Sequence, residues 1–149
     1  MQHYQTARKT DAPRADAWAV LSDHSGWGDH APNLSKSEVV AGSGEGAVRR
    51  CYNSAGQGWS ETCTLWQPGT RYVMEVDTSD YPYPLSVMRG TFDVNDAGNG
   101  SIIRLRFDYK VKGGPAGRVP RNREIVPVLE LLGEPPDERV ITHGDSCRR

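Results

Sequence analysis

The stretch from Gly58 to Asp77 constrains the fold of this chain more than any other part of the sequence. Apolar or bulky residues alternate with polar ones on both sides of a Pro-Gly turn signal at residues 68 and 69, a pattern typical of a hairpin of two antiparallel strands. If the turn is centred between these residues, Leu65 lies opposite Tyr72 and Cys63 lies opposite Met74. One face of the hairpin then carries Trp59, Cys63, Leu65, Tyr72, Met74 and Val76. A face this apolar requires cover, so the hairpin predicts a sheet with one side turned towards a core.

One carboxylate falls on the same face, because Glu61 lies between Trp59 and Cys63 in the alternation. A buried carboxylate is costly unless it is paired or hydrogen-bonded. Two interpretations stay open at this point. In the first, Glu61 acts as a general acid or base or holds a ligand hydroxyl. In the second, it forms an ion pair with Arg49 or another internal arginine that stabilises the wall.

Further strands are predicted at short intervals on both sides of this hairpin. A strand over residues 3–10 precedes a helix over residues 13–22, favoured by Asp11 as an acidic cap and by Pro13 in the first turn. The glycines of residues 23–32 limit that segment to a short helix or a loop around Trp27. Alternation then predicts strands over residues 37–41, 47–53, 85–94 and 101–110.

The turns between these strands predict which residues pair. Centring the reversal after residue 53 on Gly56 places Cys51 opposite Glu61 and Arg49 opposite Cys63, on the same face as the apolar wall. The two cysteines would then act as small buried apolar side chains.

The last two strands give a second test of the alternation. Centring the loop of residues 95–100 between residues 97 and 98 places Phe92 opposite Ile103 and Met88 opposite Phe107. Apolar residues then share one face, and the opposite face carries Arg89, Asp93, Arg104 and Arg106. This predicts an antiparallel sheet that is covered on one side only.

Composition limits the classes of function. At 149 residues the chain is long enough for one domain with one core. A formal net charge of -1 lacks the positive excess of a nucleic-acid binder, so no nucleic-acid partner is expected. We found no apolar run near the ~20 residues of a membrane span and no signal-peptide core, which predicts a cytoplasmic protein.

The sequence also lacks the common catalytic and metal-binding motifs. Three cysteines without a C-x-x-C pair and four histidines without ligand spacing predict neither a disulfide framework nor a metal site. Residues 42–46 resemble a glycine-rich nucleotide loop, but they lie between two strands and are interpreted as a hairpin turn. No cofactor is expected.

Three motifs carry a resemblance to a known family. They are W-x-E-x-C-T-L-W at residues 59–66, R-Y-x-M-E-V-D at 71–77 and M-R-G-T-F at 88–92. With a strand, a helix, a short helix and six further strands, the chain resembles the START-like SRPBCC superfamily, and within it the bacterial polyketide cyclase/dehydrase-like proteins. The resemblance implies an α+β helix-grip fold, in which a seven-stranded antiparallel curved sheet wraps a long C-terminal helix around a cavity for a hydrophobic ligand.

The C-terminal part departs from this family. Where the resemblance implies the long helix, Pro120, Pro127, Pro135 and Pro136 interrupt the chain, and each interior proline costs a helix about 3 kcal/mol. We therefore expect a ligand-binding domain over residues 1–112. Residues 113–149 are expected to form a partly disordered, proline-rich tail with a degenerate helix near residues 128–132, as in a truncated relative or after a shift of reading frame.

The predicted apolar face, together with the resemblance, supplies a set of candidate site residues. Glu61 and Tyr72 are the catalytic candidates, and Trp27 with His24 and His30 lies at the expected mouth of the pocket. A histidine there either transfers protons or is an idle loop residue. The ligand-binding candidates are Trp27, Arg49, Trp59, Cys63, Met74, Tyr81, Tyr83, Met88, Phe107 and Tyr109.

Three functions remain open, because members of this superfamily include both carriers and enzymes. The first is binding of a hydrophobic small molecule such as a polyketide or lipid. The second is a polyketide cyclase or aromatase that uses Glu61, Tyr72 and Arg49. The third is a protein-interaction module that uses the charged sheet face. A monomer or homodimer is expected in each case.

Overall fold

The computed structural model describes residues 1–31 and 34–113. Their secondary structure runs β1 (Gln2–Thr10), α1 (Arg14–Leu21), α2 (Trp27–His30), β2 (Lys36–Ala41), β3 (Val48–Tyr52), β4 (Gly58–Gln67), β5 (Arg71–Val76), β6 (Leu85–Ala97) and β7 (Gly100–Val111). These elements confirm the predicted α+β fold with two short N-terminal helices. The degenerate helix predicted near residues 128–132 lies outside the described residues.

The strands form one curved antiparallel sheet in the order β1-β7-β6-β5-β4-β3-β2. Strands that follow one another from β2 to β7 pair through hairpins, and β1 pairs with the last strand, β7. This is the predicted seven-stranded sheet of a helix-grip fold. Among the described residues, we found no helix with the length and apolar character needed to cross a membrane.

The two helices cover one face of this sheet, which we call the inner face. Helix α1 begins after Pro13, whose fixed backbone angle suits a helix start, and ends at Leu21, with Ser22 as its C-cap. Its buried residues Ala17 and Leu21 are four apart and therefore lie on one side of the helix. Below them, Tyr72 stacks on Phe92 with 4.6 Å between ring centroids. The core lies between the helices and the inner face.

A β-bulge in β4 overturns one predicted pairing. Cys63 pairs with Met74 as predicted, but Leu65 pairs with Val73, and it is Trp66 that pairs with Tyr72. The bulge between Cys63 and Leu65 adds one residue to β4, which reverses the inward and outward sides beyond it. Leu65 therefore contributes to the outer face of the sheet.

Two other predicted registers are wrong by two residues. Glu61 pairs with Arg49, not with Cys51, because the reversal between β3 and β4 is centred one residue earlier than Gly56. Phe92 likewise pairs with Leu105, not with Ile103. Side chains alternate with a period of two, so a slip of two residues leaves each of them on the predicted face.

Candidate functional site

A cavity of about 60 Å³ lies between the inner face and α2. Most of its lining is apolar or aromatic. The sequence-derived candidates in this lining are Trp27, Arg49, Trp59, Glu61, Met74, Tyr81, Met88 and Phe107. The remaining candidates, Cys63, Tyr72, Tyr83 and Tyr109, lie outside the lining. Tyr83 packs against Tyr81, with 5.1 Å between the ring centroids.

Glu61 is held by two neighbours on the inner face. Its Oε2 accepts hydrogen bonds from Arg49 Nε at 2.9 Å and Arg49 Nη2 at 2.6 Å, and its Oε1 accepts one from Trp59 Nε1 at 2.8 Å. The register explains this, since Arg49 lies directly opposite Glu61 and Trp59 is two residues earlier on the same strand. Of the two interpretations of Glu61, the ion pair with Arg49 describes its geometry.

Arg49 is buried, with only 4% of its surface exposed. Burial opposes the charge of the guanidinium, but attraction to the Glu61 carboxylate outweighs this effect and raises the pKa of Arg49. The guanidinium carbon also lies 5.5 Å from the ring centroid of Trp27, in cation–π geometry. Its Nη1 has no hydrogen-bond partner among the described residues. Arg49 thus brings an unused donor to the cavity wall.

Tyr72 is fully buried, and its phenol is already engaged. The hydroxyl donates to the backbone oxygen of Leu21 at 2.7 Å, and Trp27 Nε1 donates to the same oxygen at 3.1 Å. Leu21 ends α1, where carbonyl groups lack helical partners, so both side chains stabilise the helix end. Burial raises the pKa of the Tyr72 phenol, which keeps it protonated near neutral pH.

His24 is buried, although its position in a loop gave no sign of this in the sequence. Its ring lies 4.9 Å from that of Tyr72 and 5.7 Å from that of Trp66. Neither ring nitrogen has a hydrogen-bond partner in the described part of the chain. Burial, followed by the charge of Arg49, lowers the pKa of His24 to about 4. His30, the other histidine of this region, is exposed.

Cys51 lies close to Glu61 and Arg49 and is fully buried. Burial and the nearby Glu61 carboxylate raise the pKa of its thiol to about 12, so it stays protonated and poorly nucleophilic at neutral pH. Within residues 1–31 and 34–113, no three His, Cys, Asp or Glu side chains are arranged to hold a metal ion.

Comparison with known families identifies the chain. The sequence profile of the family described as polyketide cyclase/dehydrase and lipid transport matches residues 1–130. The protein belongs to this family. This match confirms the resemblance drawn from the three sequence motifs.

Several solved structures have the same fold as this member of the polyketide cyclase/dehydrase and lipid transport family. XoxI from Bacillus cereus superposes with a TM-score of 0.70 at 16% identity, over 89% of this chain and 88% of that one. The Zhui aromatase/cyclase from Streptomyces sp. R1128 gives 0.64 at 21% identity, over 76% and 70%. The di-domain aromatase/cyclase BexL gives 0.67 at 20% identity, over 85% and 41%. At these identities the structures establish the fold. No curated protein sequence matches the chain.

Proposed function

We propose that the protein binds a hydrophobic small molecule that carries a hydrogen-bond-accepting oxygen, and that the cavity at the inner face is the binding site. The observation that carries this proposal is Arg49 Nη1, a buried donor without a partner among the described residues, in the wall of a mostly apolar cavity. A buried donor left unpaired costs free energy, which a ligand oxygen would recover. Apolar walls with a few placed polar groups are typical of small-molecule sites.

The charge of the site favours a neutral ligand. Arg49 and Glu61 form an ion pair at 2.6 Å, so their charges compensate one another. A carboxylate placed beside Arg49 would add a buried negative charge without a counter-charge, at considerable cost. A ketone or hydroxyl oxygen accepts the Nη1 hydrogen bond without this cost. Polyketides, which carry many ketone oxygens, fit this requirement.

The size of the cavity limits what fits without rearrangement. Its volume of about 60 Å³ is well below the roughly 300–1,000 Å³ of pockets for drug-sized ligands. A larger ligand must therefore displace part of the wall. Met74 and Met88 line the cavity, and unbranched methionine side chains rearrange at low cost.

A cyclase activity is the second candidate, favoured by the family and by the aromatase/cyclase structures. The two acid/base candidates are both engaged, Glu61 with Arg49 and Tyr72 with the Leu21 carbonyl. In this arrangement catalysis would rest on orienting a poly-ketone and on stabilising enolate charge through Arg49. Binding without turnover requires none of these groups to be released, and we place it first.

A protein-interaction module has the weakest support. Two of the arginines of the outer face have acidic partners within the sheet, since Arg89 pairs with Glu75 at 3.4 Å and Arg106 with Asp108 at 2.9 Å. Exposed ion pairs of this kind are an ordinary feature of solvent-exposed sheet faces.

Competition binding tests the first proposal. The fluorescent hydrophobe N-phenyl-1-naphthylamine is bound to the protein and displaced with 2-octanone, octanoate or octane. We expect 2-octanone to bind about tenfold more tightly than the other two, in line with one hydrogen bond from a charged donor. The double variant Arg49→Met/Glu61→Leu removes donor and acceptor together without leaving an unpaired charge, and should lose this preference.

The outcomes separate the parts of the proposal. A protein that binds neither the probe nor any competitor has no such site. Equal displacement by octane and 2-octanone would mean that Arg49 does not hold a ligand oxygen.

A further inference from the structure

One wall of the cavity is formed by a short stretch of chain with little secondary structure of its own. Residues 22–31, which we call the cover segment, contain only the four-residue helix α2 and the loop before it. Trp27 and Ala31 of this segment line the cavity. A helix of one turn is not stable alone, so the position of the cover segment depends on its contacts with the sheet.

His24 belongs to the cover segment, and its side chain is buried on the side that faces the sheet, with 7% of its surface exposed. Its backbone oxygen accepts a hydrogen bond from Ser37 Oγ at 2.6 Å, which ties the segment to β2. Its ring packs edge-on against Tyr72 and Trp66, and both ring nitrogens lack partners among the described residues. Closing the segment therefore removes water from two polar atoms without replacing their hydrogen bonds, which makes local opening easier.

The groups that face His24 decide how it responds to acid. Arg49 on β3 repels a proton on His24, while Glu61 on β4 and Asp23 in the cover segment attract one. Tyr72 on β5 is neutral, because burial raises the pKa of its phenol. We call the arrangement in which the cover segment packs against the sheet the closed state. In it, burial and the charge of Arg49 outweigh the two carboxylates and lower the pKa of His24 to about 4. The closed state thus excludes the proton.

In the open state the cover segment has moved away from the sheet and the His24 ring is exposed to solvent. A solvent-exposed histidine has a pKa near 6.5. The open state therefore binds protons that the closed state does not. By linkage, its population rises as the pH falls below about 6.5 and stops rising near pH 4. From pH 7 to pH 5.5 the equilibrium constant for opening should increase about eightfold.

We propose that protonation of His24 releases the cover segment and opens the cavity, so that mildly acidic solution accelerates the uptake and release of hydrophobic ligands. The inference deepens the proposed function and rests on it for the ligand. Opening also provides the enlargement that the small closed cavity requires. Trp27 would leave the cavity with the segment, and the guanidinium of Arg49 would become accessible.

Hydrogen exchange of the ligand-free protein tests the opening directly. Amide exchange in residues 22–31 is measured at pH 7 and pH 5.5 and corrected for intrinsic rates, with β4 and β5 as internal references. We expect about an eightfold increase in the opening constant of the cover segment in the wild type. The variant His24→Phe should show no such increase, whereas His30→Phe, which changes an exposed histidine of the same segment, should retain it.

Two results would overturn the inference. One is pH-independent exchange of the cover segment in the wild type. The other is an unchanged eightfold increase in His24→Phe. If His24→Phe does not fold, as judged by circular dichroism, His24→Gln serves in its place, because it also cannot take the proton.

Stopped-flow uptake of N-phenyl-1-naphthylamine tests the link to the ligand. The association rate should rise by a similar factor between pH 7 and pH 5.5, and only in proteins that keep His24. Faster exchange in a protein that binds no probe at either pH would disprove the proposed function. Probe binding with pH-independent exchange would disprove this inference alone.

Discussion

Arg49, Glu61 and Trp59 define the chemical character of the cavity at the scale of single residues. Two hydrogen bonds from Arg49 and one from Trp59 leave both carboxylate oxygens of Glu61 engaged. The pair is buried, so its charges are weakly screened and each depends on the other. Glu61 therefore supports Arg49, and Arg49 is the residue with a donor to offer a ligand.

Glu61→Gln tests this dependence. The substitution leaves the Arg49 charge buried without a counter-charge, and the protein should lose about 3 kcal/mol or more of its free energy of unfolding. Urea denaturation measures the loss. The double variant Arg49→Met/Glu61→Leu should recover most of it, because no charge remains buried. A Glu61→Gln variant as stable as the wild type would show that the ion pair is unimportant for folding.

The bulge in β4 is the decisive feature at the scale of the elements. It lies between Cys63 and Leu65 and changes which of two adjacent residues faces the core. Trp66 is directed to the inner side, where its ring lies 5.2 Å from Trp18 and 5.8 Å from Tyr72. Uninterrupted alternation predicts the reverse, because it cannot register an added residue.

Two alanine substitutions distinguish these arrangements. Trp66→Ala should cost about 3 kcal/mol of stability, since it removes ring contacts from the core. Leu65→Ala, on the outer face, should cost less than about 1 kcal/mol. Urea denaturation of both variants gives the comparison. A larger loss in Leu65→Ala would mean that β4 runs without the bulge.

At the scale of the whole molecule, the cavity is a compromise between packing and binding. Its volume of about 60 Å³ keeps the inner face well packed but leaves little room for a ligand. When a lining side chain is shortened, the free energy of unfolding should therefore fall and the affinity for a hydrophobic ligand should rise.

Met88→Ala and Leu105→Ala test this relation. Both side chains are buried, but only Met88 lines the cavity. Each variant should lose about 2–5 kcal/mol of stability. Only Met88→Ala should bind N-phenyl-1-naphthylamine more tightly than the wild type, by fluorescence titration. An equal gain in Leu105→Ala would place the probe somewhere else in the protein.

The stability of the whole protein should also depend on His24. Its pKa is about 4 in the folded state and near 6.5 when unfolded, so the unfolded chain binds the extra proton. The stabilisation is complete above pH 6.5 and is lost as the pH falls towards 4. Between pH 7 and pH 5.5 the wild type should lose on the order of 1 kcal/mol more than His24→Phe. Parallel loss in both proteins would contradict this assignment.

The sequence was sufficient for the properties that depend on local chemistry. Alternation placed the strands and put Glu61, Tyr72 and Phe107 on the inner face, since the period of two holds along β5, β7 and the part of β4 before its bulge. It also survives a register slip of two residues. The motifs were sufficient for the family.

Tertiary structure decided what depends on contacts between distant segments. The pairing of Glu61 with Arg49 needed the turn between β3 and β4, whose length is not encoded in the alternation. The inward position of Trp66 needed the bulge. The burial of His24 needed helix α1, β4 and β5 in place, because a loop has no periodic pattern that reports which side it buries.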